Sequence, residues 1–187
     1  MIRLEASRAT VRDWKPVDIG PLQSWMRPDA RWHDTNGPYF PRPTARDLNQ
    51  NVERRRIESL TDPADRPEPR TSLAIVESQT DRLIGQVSWY WESEATDWRR
   101  MGIVIYDPDR WCSGFGTEAM RLWTTYLFTH TETVRLDLAT YSGNLGMMGV
   151  ARKLGFREEG RFRKARVVNG VFYDSLVYGV LREEWRC

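Results

Sequence analysis

Lysine is scarce in this chain: it occurs only at Lys15, Lys153 and Lys164, and every other basic residue is arginine. The formal net charge is only +2 at pH 7, so composition gives no reason to expect a nucleic-acid partner. Cysteine is scarcer still, with Cys112 and Cys187 alone. Two such residues supply neither a disulfide framework nor the ligand spacing of a metal site. We therefore expect no bound metal and a reducing compartment.

Long apolar runs are also missing. No run is long enough to cross a bilayer, and Met1–Glu5 lacks the apolar core of a signal peptide. We therefore expect a cytoplasmic protein with no membrane partner. Internal repeats are absent, and the length of 187 residues fits a single domain over 1–187.

The order of predicted elements indicates a mixed α/β sheet, mostly antiparallel, with about seven strands flanked by helices. Three strands joined by short turns suggest a meander, and Asn169-Gly170 is a strong two-residue hairpin signal. The predicted strands cover 10–14, 72–78, 83–91, 98–106, 134–139, 156–168 and 171–181. The predicted helices cover 16–26, 44–56, 117–128 and 144–154, and Gly20-Pro21 is expected to interrupt the first of them.

A glycine-bearing loop links the apolar strand Gly102–Tyr106 to the strong helical pattern Thr117–Phe128. Gly114 and Gly116 allow a sharp turn and a close approach to a ligand. The first amides of a helix have no internal acceptor, and the helix dipole favours an anion there. No Gly-Lys-Ser/Thr follows, and the dinucleotide spacing is absent. The segment therefore predicts a phosphate site of another kind.

The wider segment Met101–Ala119 resembles the acetyl-CoA signature of the GCN5-related N-acetyltransferase (GNAT) family. Asn144, Lys153–Phe156 and Asn169–Asp174 match later blocks of the same family, in the same order. The chain is most similar to the branch of ribosomal-protein N-terminal acetyltransferases (RimJ/RimL-like). The resemblance implies a GNAT-like fold with acetyl-CoA as cofactor.

The resemblance also implies an enzyme, an N-acetyltransferase that moves acetyl directly from the thioester to a primary amine. A protein N-terminus, a polyamine, an amino sugar and another small amine all stay open as acceptors. The cofactor-binding positions that it implies are Val104, Ile105 and Tyr106 for the pantetheine arm, Trp111, Cys112, Ser113, Gly114, Phe115, Gly116 and Thr117 for the pyrophosphate, and Asn144 and Lys153.

The catalytic groups depart from the family pattern. Met101 stands where many relatives carry a glutamate, and Ala151 stands where many carry a tyrosine. Glu92 and Glu94, at the end of the tryptophan-rich strand, are candidate bases, and Tyr141 is a candidate catalytic residue after the crossover strand. The two departures are the support for an alternative function, a non-catalytic acyl-CoA-binding sensor or scaffold module.

Four aromatic residues are candidates for the acceptor pocket: Trp32, His33, Trp89 and Trp91. Tryptophan can grip a cation by its π face, but it also fills cores and interfaces. Core packing therefore stays open as the alternative for each. The strand that carries Trp89 and Trp91 could also pair subunits in a homodimer.

Overall fold

The computed structural model describes residues 1–186, which form one eight-stranded sheet. Its strands are β1 Arg3–Glu5, β2 Ala9–Arg12, β3 Ser72–Glu77, β4 Leu83–Ser93, β5 Trp98–Ile105, β6 Arg135–Tyr141, β7 Arg157–Val168 and β8 Val171–Leu181. Their order in the sheet is β1-β2-β3-β4-β5-β6-β8-β7. The predicted mixed, mostly antiparallel sheet is confirmed. The additional strand, β1, has three residues, too few to show an alternating pattern.

Four α-helices flank the sheet: α1 Ile19–Trp25, α2 Ala45–Leu60, α3 Phe115–His130 and α4 Leu145–Lys153. Gly20-Pro21 does not interrupt α1, because Pro21 lies in its first turn, where a backbone N–H has no helical acceptor. Within residues 1–186, no helix has both the length and the apolar character to cross a membrane.

Each face of the sheet has its own apolar core. Trp123 and Leu127 of α3 are fully buried in the larger core, which also includes α4. Leu22 of α1 and Val52 of α2 pack in the second core, against Val76 and the neighbouring strands. The larger core extends across the sheet from Val11 on β2 to Val180 on β8, whereas the buried strand residues of the second core lie on β3 and β4.

Among the strands of residues 1–186, β5 and β6 are the only parallel neighbours, and the sheet divides between them. They pair only where Arg99–Met101 meets Leu136–Leu138. Beyond these residues β5 stays on β4 as far as Ile105, and β6 stays on β8 as far as Tyr141. A gap therefore opens between the two strand ends, and the backbone edges that face it have no partner strand.

Candidate active site

The gap between β5 and β6 opens into a cavity of about 660 Å³. Residues from five segments line it: the loop 35–39, β5 from residue 101, the loop and first helical turn 110–117, the end of β6 at 138–141, and the α4 region 143–153. The glycine-rich loop and the strand that precedes it therefore meet at one cavity. The second block of the sequence motif, around Asn144, completes its wall.

The start of α3 presents bare amides to this cavity. Gly114 has φ +96°, a left-handed conformation that favours glycine, and α3 begins at Phe115. Within residues 1–186, no acceptor receives the amides of Gly114, Phe115 and Gly116. A Cβ on Gly116 would lie 3.8 Å from Val150 Cγ2 on α4, so a larger side chain would extend into the cavity. These features fit a pyrophosphate at the helix start.

The charged residues of the cavity wall are basic. Across the described chain, Arg110 and Lys153 are the charged residues that line it. Arg110 Nε lies 2.5 Å from Glu77 Oε1, which holds the guanidinium near the loop. Hydrogen bonds, first from Arg82 and then from Thr80 and Arg110, lower the pKa of Glu77 to about 2. The wall is therefore suited to an anionic ligand.

The other predicted loop residues divide between the wall and the surface. Trp111, Cys112 and Thr117 line the cavity, and Cys112 is an exposed free thiol. Ser113 and Phe115 do not line it with their side chains. The Ser113 hydroxyl donates to Arg110 O at 2.6 Å instead. Any contribution of Ser113 or Phe115 would therefore come from the main chain.

The backbone of β5 faces the gap at alternate residues. Tyr106 N donates to Ile84 O on β4 at 2.7 Å. Because the polar groups of a strand alternate in direction, those of Val104 also point to β4, and those of Ile103 and Ile105 point to the gap. Of the predicted set Val104, Ile105 and Tyr106, only Ile105 has backbone polar groups that face the gap, and Ile103, which the sequence did not predict, has them too.

The side-chain contacts of the same segment agree with these backbone directions. Trp111 Nε1 donates to Ile105 O at 2.9 Å, which leaves the Ile105 N–H and both polar groups of Ile103 at the gap. Val104 still lines the cavity. Tyr106 does not, because its ring is buried in the second core, 5.4 Å from the ring of Trp32.

Asn144 joins two walls of the cavity. Its Oδ1 accepts from Met147 N at 3.0 Å and so caps α4, while its Nδ2 donates to Thr35 O at 3.1 Å. The second bond holds the loop 35–39 against the start of α4. A residue that the sequence placed beside the pantetheine arm therefore also fixes the loop opposite.

Tyr141 is the one catalytic candidate that lines the cavity. Its ring packs edge-on against Tyr39 and Tyr173, with both centroids 5.5 Å away. Burial raises the pKa of Tyr141, so its hydroxyl keeps its proton at neutral pH and above. The arrangement places a protonated tyrosine side chain in the cavity wall.

The two predicted carboxylates lie elsewhere. Glu92 Oε2 pairs with Arg100 Nη1 at 2.8 Å, and the same guanidinium binds the fully buried Asp137 through two bonds. Glu94 is exposed at the start of a 3-10 turn after β4. Neither lines the cavity, because β4 ends beside the paired part of β5 and β6 rather than beside the gap.

Trp32 and His33 also lie outside the cavity wall. Both are buried, with ring centroids 3.7 Å apart, and His33 Nε2 is 3.0 Å from Arg27 O. Burial lowers the pKa of His33, so the ring is neutral at pH 7. Packing places these two rings in the second core instead of at an acceptor site.

Trp89 and Trp91 do not line the cavity either. Their rings hold the buried guanidinium of Arg99, whose Cζ is 4.9 Å from the Trp89 centroid and 4.2 Å from the Trp91 centroid. The cation that these tryptophans grip thus belongs to the protein itself.

Several wall residues escaped the sequence prediction. Tyr39 and Thr35 come from the aromatic loop, whose composition was the only signal, and Ile103 differs from its predicted neighbours only in direction. Within residues 1–186, no cluster of three or more His, Cys, Asp or Glu side chains is placed to hold a metal ion.

A sheet that divides between two parallel strands, above a glycine-rich helix start, defines the class of acetyltransferase folds. Residues 8–157 match the family model described as the acetyltransferase (GNAT) domain. The chain therefore belongs to the GNAT family, and the family prediction is confirmed.

Among curated proteins, the chain is similar to YjcK of Bacillus subtilis (strain 168), which is named a probable N-acetyltransferase. The two are 33% identical over 114 residues, or 60% of this chain and 62% of that protein. The chain thus spans less than two thirds of this relative's length. The prediction of an acetyltransferase agrees with the relative's name and with the family model.

Solved structures show the same fold. A spermidine N-acetyltransferase from Vibrio cholerae, in complex with CoA and spermine, has a TM-score of 0.72 at 16% identity, covering 96% of this chain and 98% of that one. A ribosomal-protein-S5-alanine acetyltransferase from Vibrio fischeri has a TM-score of 0.70 at 18% identity, covering 100% of both chains. At these identities the likeness concerns the fold.

Proposed function

We propose that this protein is an acetyl-CoA-dependent N-acetyltransferase that acts on a primary amine. One observation carries the proposal: the gap between β5 and β6 brings the bare amides of α3 and the side chain of Tyr141 to a single cavity. Family membership supports the cofactor, and the structural neighbour in complex with CoA supports it further.

Different residues of the cavity wall would bind different parts of acetyl-CoA. The amides of Gly114 to Gly116, with Arg110 and Lys153, would bind its phosphates. The gap-facing polar groups of Ile103 and Ile105 would pair with the amides of the pantetheine arm, as an added strand would. When bound, acetyl-CoA supplies an activated acetyl thioester at the end of the arm.

Tyr141 would supply a proton to the leaving sulfur. Its raised pKa keeps the hydroxyl protonated, and its ring is fixed between Tyr39 and Tyr173. A hydroxyl held in place beside a developing thiolate lowers the barrier for thiol departure. This assigns the proton donor to Tyr141, in place of the tyrosine that many relatives carry at the position of Ala151.

No carboxylate or imidazole from residues 1–186 lines the cavity. The acceptor would therefore bind as the small neutral fraction of the amine, which has a free lone pair. We expect the rate to rise with pH until the amine is deprotonated, or until Tyr141 begins to lose its proton.

The same observation favours one alternative, a non-catalytic module that binds acyl-CoA as a sensor or scaffold. Such a module needs the phosphate and pantetheine contacts but no base. A cytoplasmic location and a homodimer stay predictions.

Thiol release from acetyl-CoA, measured against a panel of amines, tests the proposal. The panel contains peptides with a free N-terminus, polyamines, amino sugars and amino acids, and a reaction without amine serves as the control. Release that depends on an amine supports the enzyme. Tight acetyl-CoA binding by calorimetry, with no release for any amine, would support the sensor instead.

A further inference from the structure

One arginine beside the cavity has no ionic partner. The side chain of Arg166, on β7, makes no hydrogen bond or ion pair within residues 1–186, and its Nε is buried without an acceptor. Other arginines of the same hairpin and loop are paired, as Arg161 is with Asp174 and Arg42 with Asp34. Arg166 thus keeps its guanidinium donors free in a half-buried position.

Arg166 sits directly on the aromatic residues at the Tyr141 end of the cavity. Its Cζ is 4.4 Å from the centroid of Tyr39, a wall residue, and 5.8 Å from that of Phe40. It is also the cross-strand partner of Tyr173. Tyr39 and Tyr173 are the two rings that pack on Tyr141. The free guanidinium therefore lies next to the place where the acceptor amine must arrive.

The surroundings of Arg166 are basic. Arg163 and Lys164 precede it on the same strand, and both are exposed. Two carboxylates of the neighbouring hairpin and loop are already paired: Asp174 accepts from Lys164 N and from Arg161, and Asp34 pairs with Arg42. No carboxylate of the described chain lines the cavity. A polycation would meet repulsion here, and an anion would meet an uncompensated guanidinium.

We propose that Arg166 selects acceptors whose amine is followed by a carboxylate, above all acidic peptide N-termini, by pairing with that carboxylate. This inference rests on the proposed function and narrows its acceptor class. A guanidinium matches a carboxylate with two parallel hydrogen bonds, and Arg163 and Lys164 would attract further acidic residues along the peptide.

The test compares three peptides that differ only after the first residue: Ala-Asp-Asp, Ala-Asn-Asn and Ala-Lys-Lys, each extended by the same neutral sequence. Their kcat/KM values are measured by thiol release, together with that of spermidine. We expect the acidic peptide to exceed its amide counterpart by about tenfold, and the basic peptide and spermidine to be poorest.

Three variants locate the effect. Arg166→Gln should bring the ratio of acidic to amide peptide close to one, mainly through KM, while Arg166→Lys should keep part of it because the charge remains. Arg157→Gln is the matched control, since Arg157 lies on the same strand, exposed, and pairs with Glu184 away from the cavity. It should leave the ratio unchanged.

Two outcomes would overturn the inference without touching the proposed function. One is amine-dependent release with no preference for acidic peptides, and the other is a preference that survives Arg166→Gln. Absence of release for every amine would overturn the proposed function. In that case, binding of the acidic peptide to the CoA-saturated protein, measured by calorimetry and lost in Arg166→Gln, would still support the anion site, and no such binding would refute it.

Discussion

The two ends of the cavity are built from different kinds of atoms. At the α3 end a ligand would meet main-chain amides and glycines from one continuous segment, which runs from Arg110 to Thr117. At the other end it would meet the side chains of Tyr39 and Tyr141, which pack against Tyr173 and Arg166, from three separate parts of the chain. The first end suits a constant ligand, because backbone geometry does not depend on side-chain identity. The second end can change with the acceptor.

We expect the largest effect from a substitution that fills the α3 end of the cavity. Gly116→Trp should weaken CoA binding by 100-fold or more, on the order of 3 kcal/mol, because the indole blocks several amide and cation contacts with the phosphates. Calorimetry with CoA measures the effect. Gly20→Trp is the control, since Gly20 is exposed on α1 with no atom within 4 Å of its added Cβ. Wild-type affinity for CoA in Gly116→Trp would show that the phosphates bind elsewhere.

A substitution at the Tyr141 end of the cavity should change the catalytic rate and not the affinity for the cofactor. Tyr141→Phe keeps the ring and removes the proton donor, so we expect kcat to fall by about 100-fold while the Kd for CoA stays the same. Tyr173→Phe is the matched control, because that side chain does not line the cavity.

The pH dependence of the rate is a second test of Tyr141 as the proton donor. Because burial raises its pKa, the wild-type rate should stay high to alkaline pH and fall only as pH rises through that raised value. The Tyr141→Phe variant should show no such fall. Equal rates in the two proteins would exclude Tyr141 as the donor.

Asn144 links the two ends of the cavity, and substitutions can separate the effects of its two hydrogen bonds. Asn144→Ala loses the helix cap, which costs about 1 kcal/mol and lowers Tm by about 2–4 °C. Asn144→Ser keeps a capping oxygen but cannot donate to Thr35 O, so Tm should stay near that of the wild type while the acceptor KM rises about threefold. Calorimetric unfolding and initial rates measure the two effects. An unchanged acceptor KM in both variants would show that the Thr35 contact does not position the loop.

The smallest effect should come from Glu77, which holds Arg110 at the α3 end. Its pKa is lowered to about 2, so its contribution to stability is present above the ordinary glutamate pKa and is lost as pH falls toward 2. Glu77→Gln should therefore lower stability at pH 7 by about 1 kcal/mol, since its partners are partly exposed. The difference from wild type should shrink between pH 4.5 and pH 2. A Tm difference that is constant with pH would contradict this.

The same comparison explains what the sequence could predict. The loop Arg110–Thr117 and Asn144 were recognised because glycine spacing and helix starts are local in sequence. The sequence also predicts the strand, but not the direction of its backbone polar groups. Those of Ile103 and Ile105 face the gap because Tyr106 pairs with Ile84, which is a contact between strands. The pairing of β5 with β6 over three residues, which creates the gap, is equally non-local.

The acceptor end was predicted poorly for a related reason. Burial places Trp32 and His33 inside the protein, and the half-buried Trp89 and Trp91 stack on the guanidinium of Arg99. Glu92 was a reasonable base by residue type, but Arg100 requires it as a partner beside the buried Asp137. Residue type alone cannot show which ionic partner a carboxylate already has.

The central claim is that acetyl-CoA binds along the divided sheet, with its phosphates on α3. Amide hydrogen exchange, read residue by residue by NMR with and without saturating CoA, tests it most directly. The account predicts strong new protection at Gly114, Phe115 and Gly116 and at Ile103 and Ile105, with little change at Val104, which already points to β4. Tight binding that leaves these five amides exchanging as in the free protein would contradict it.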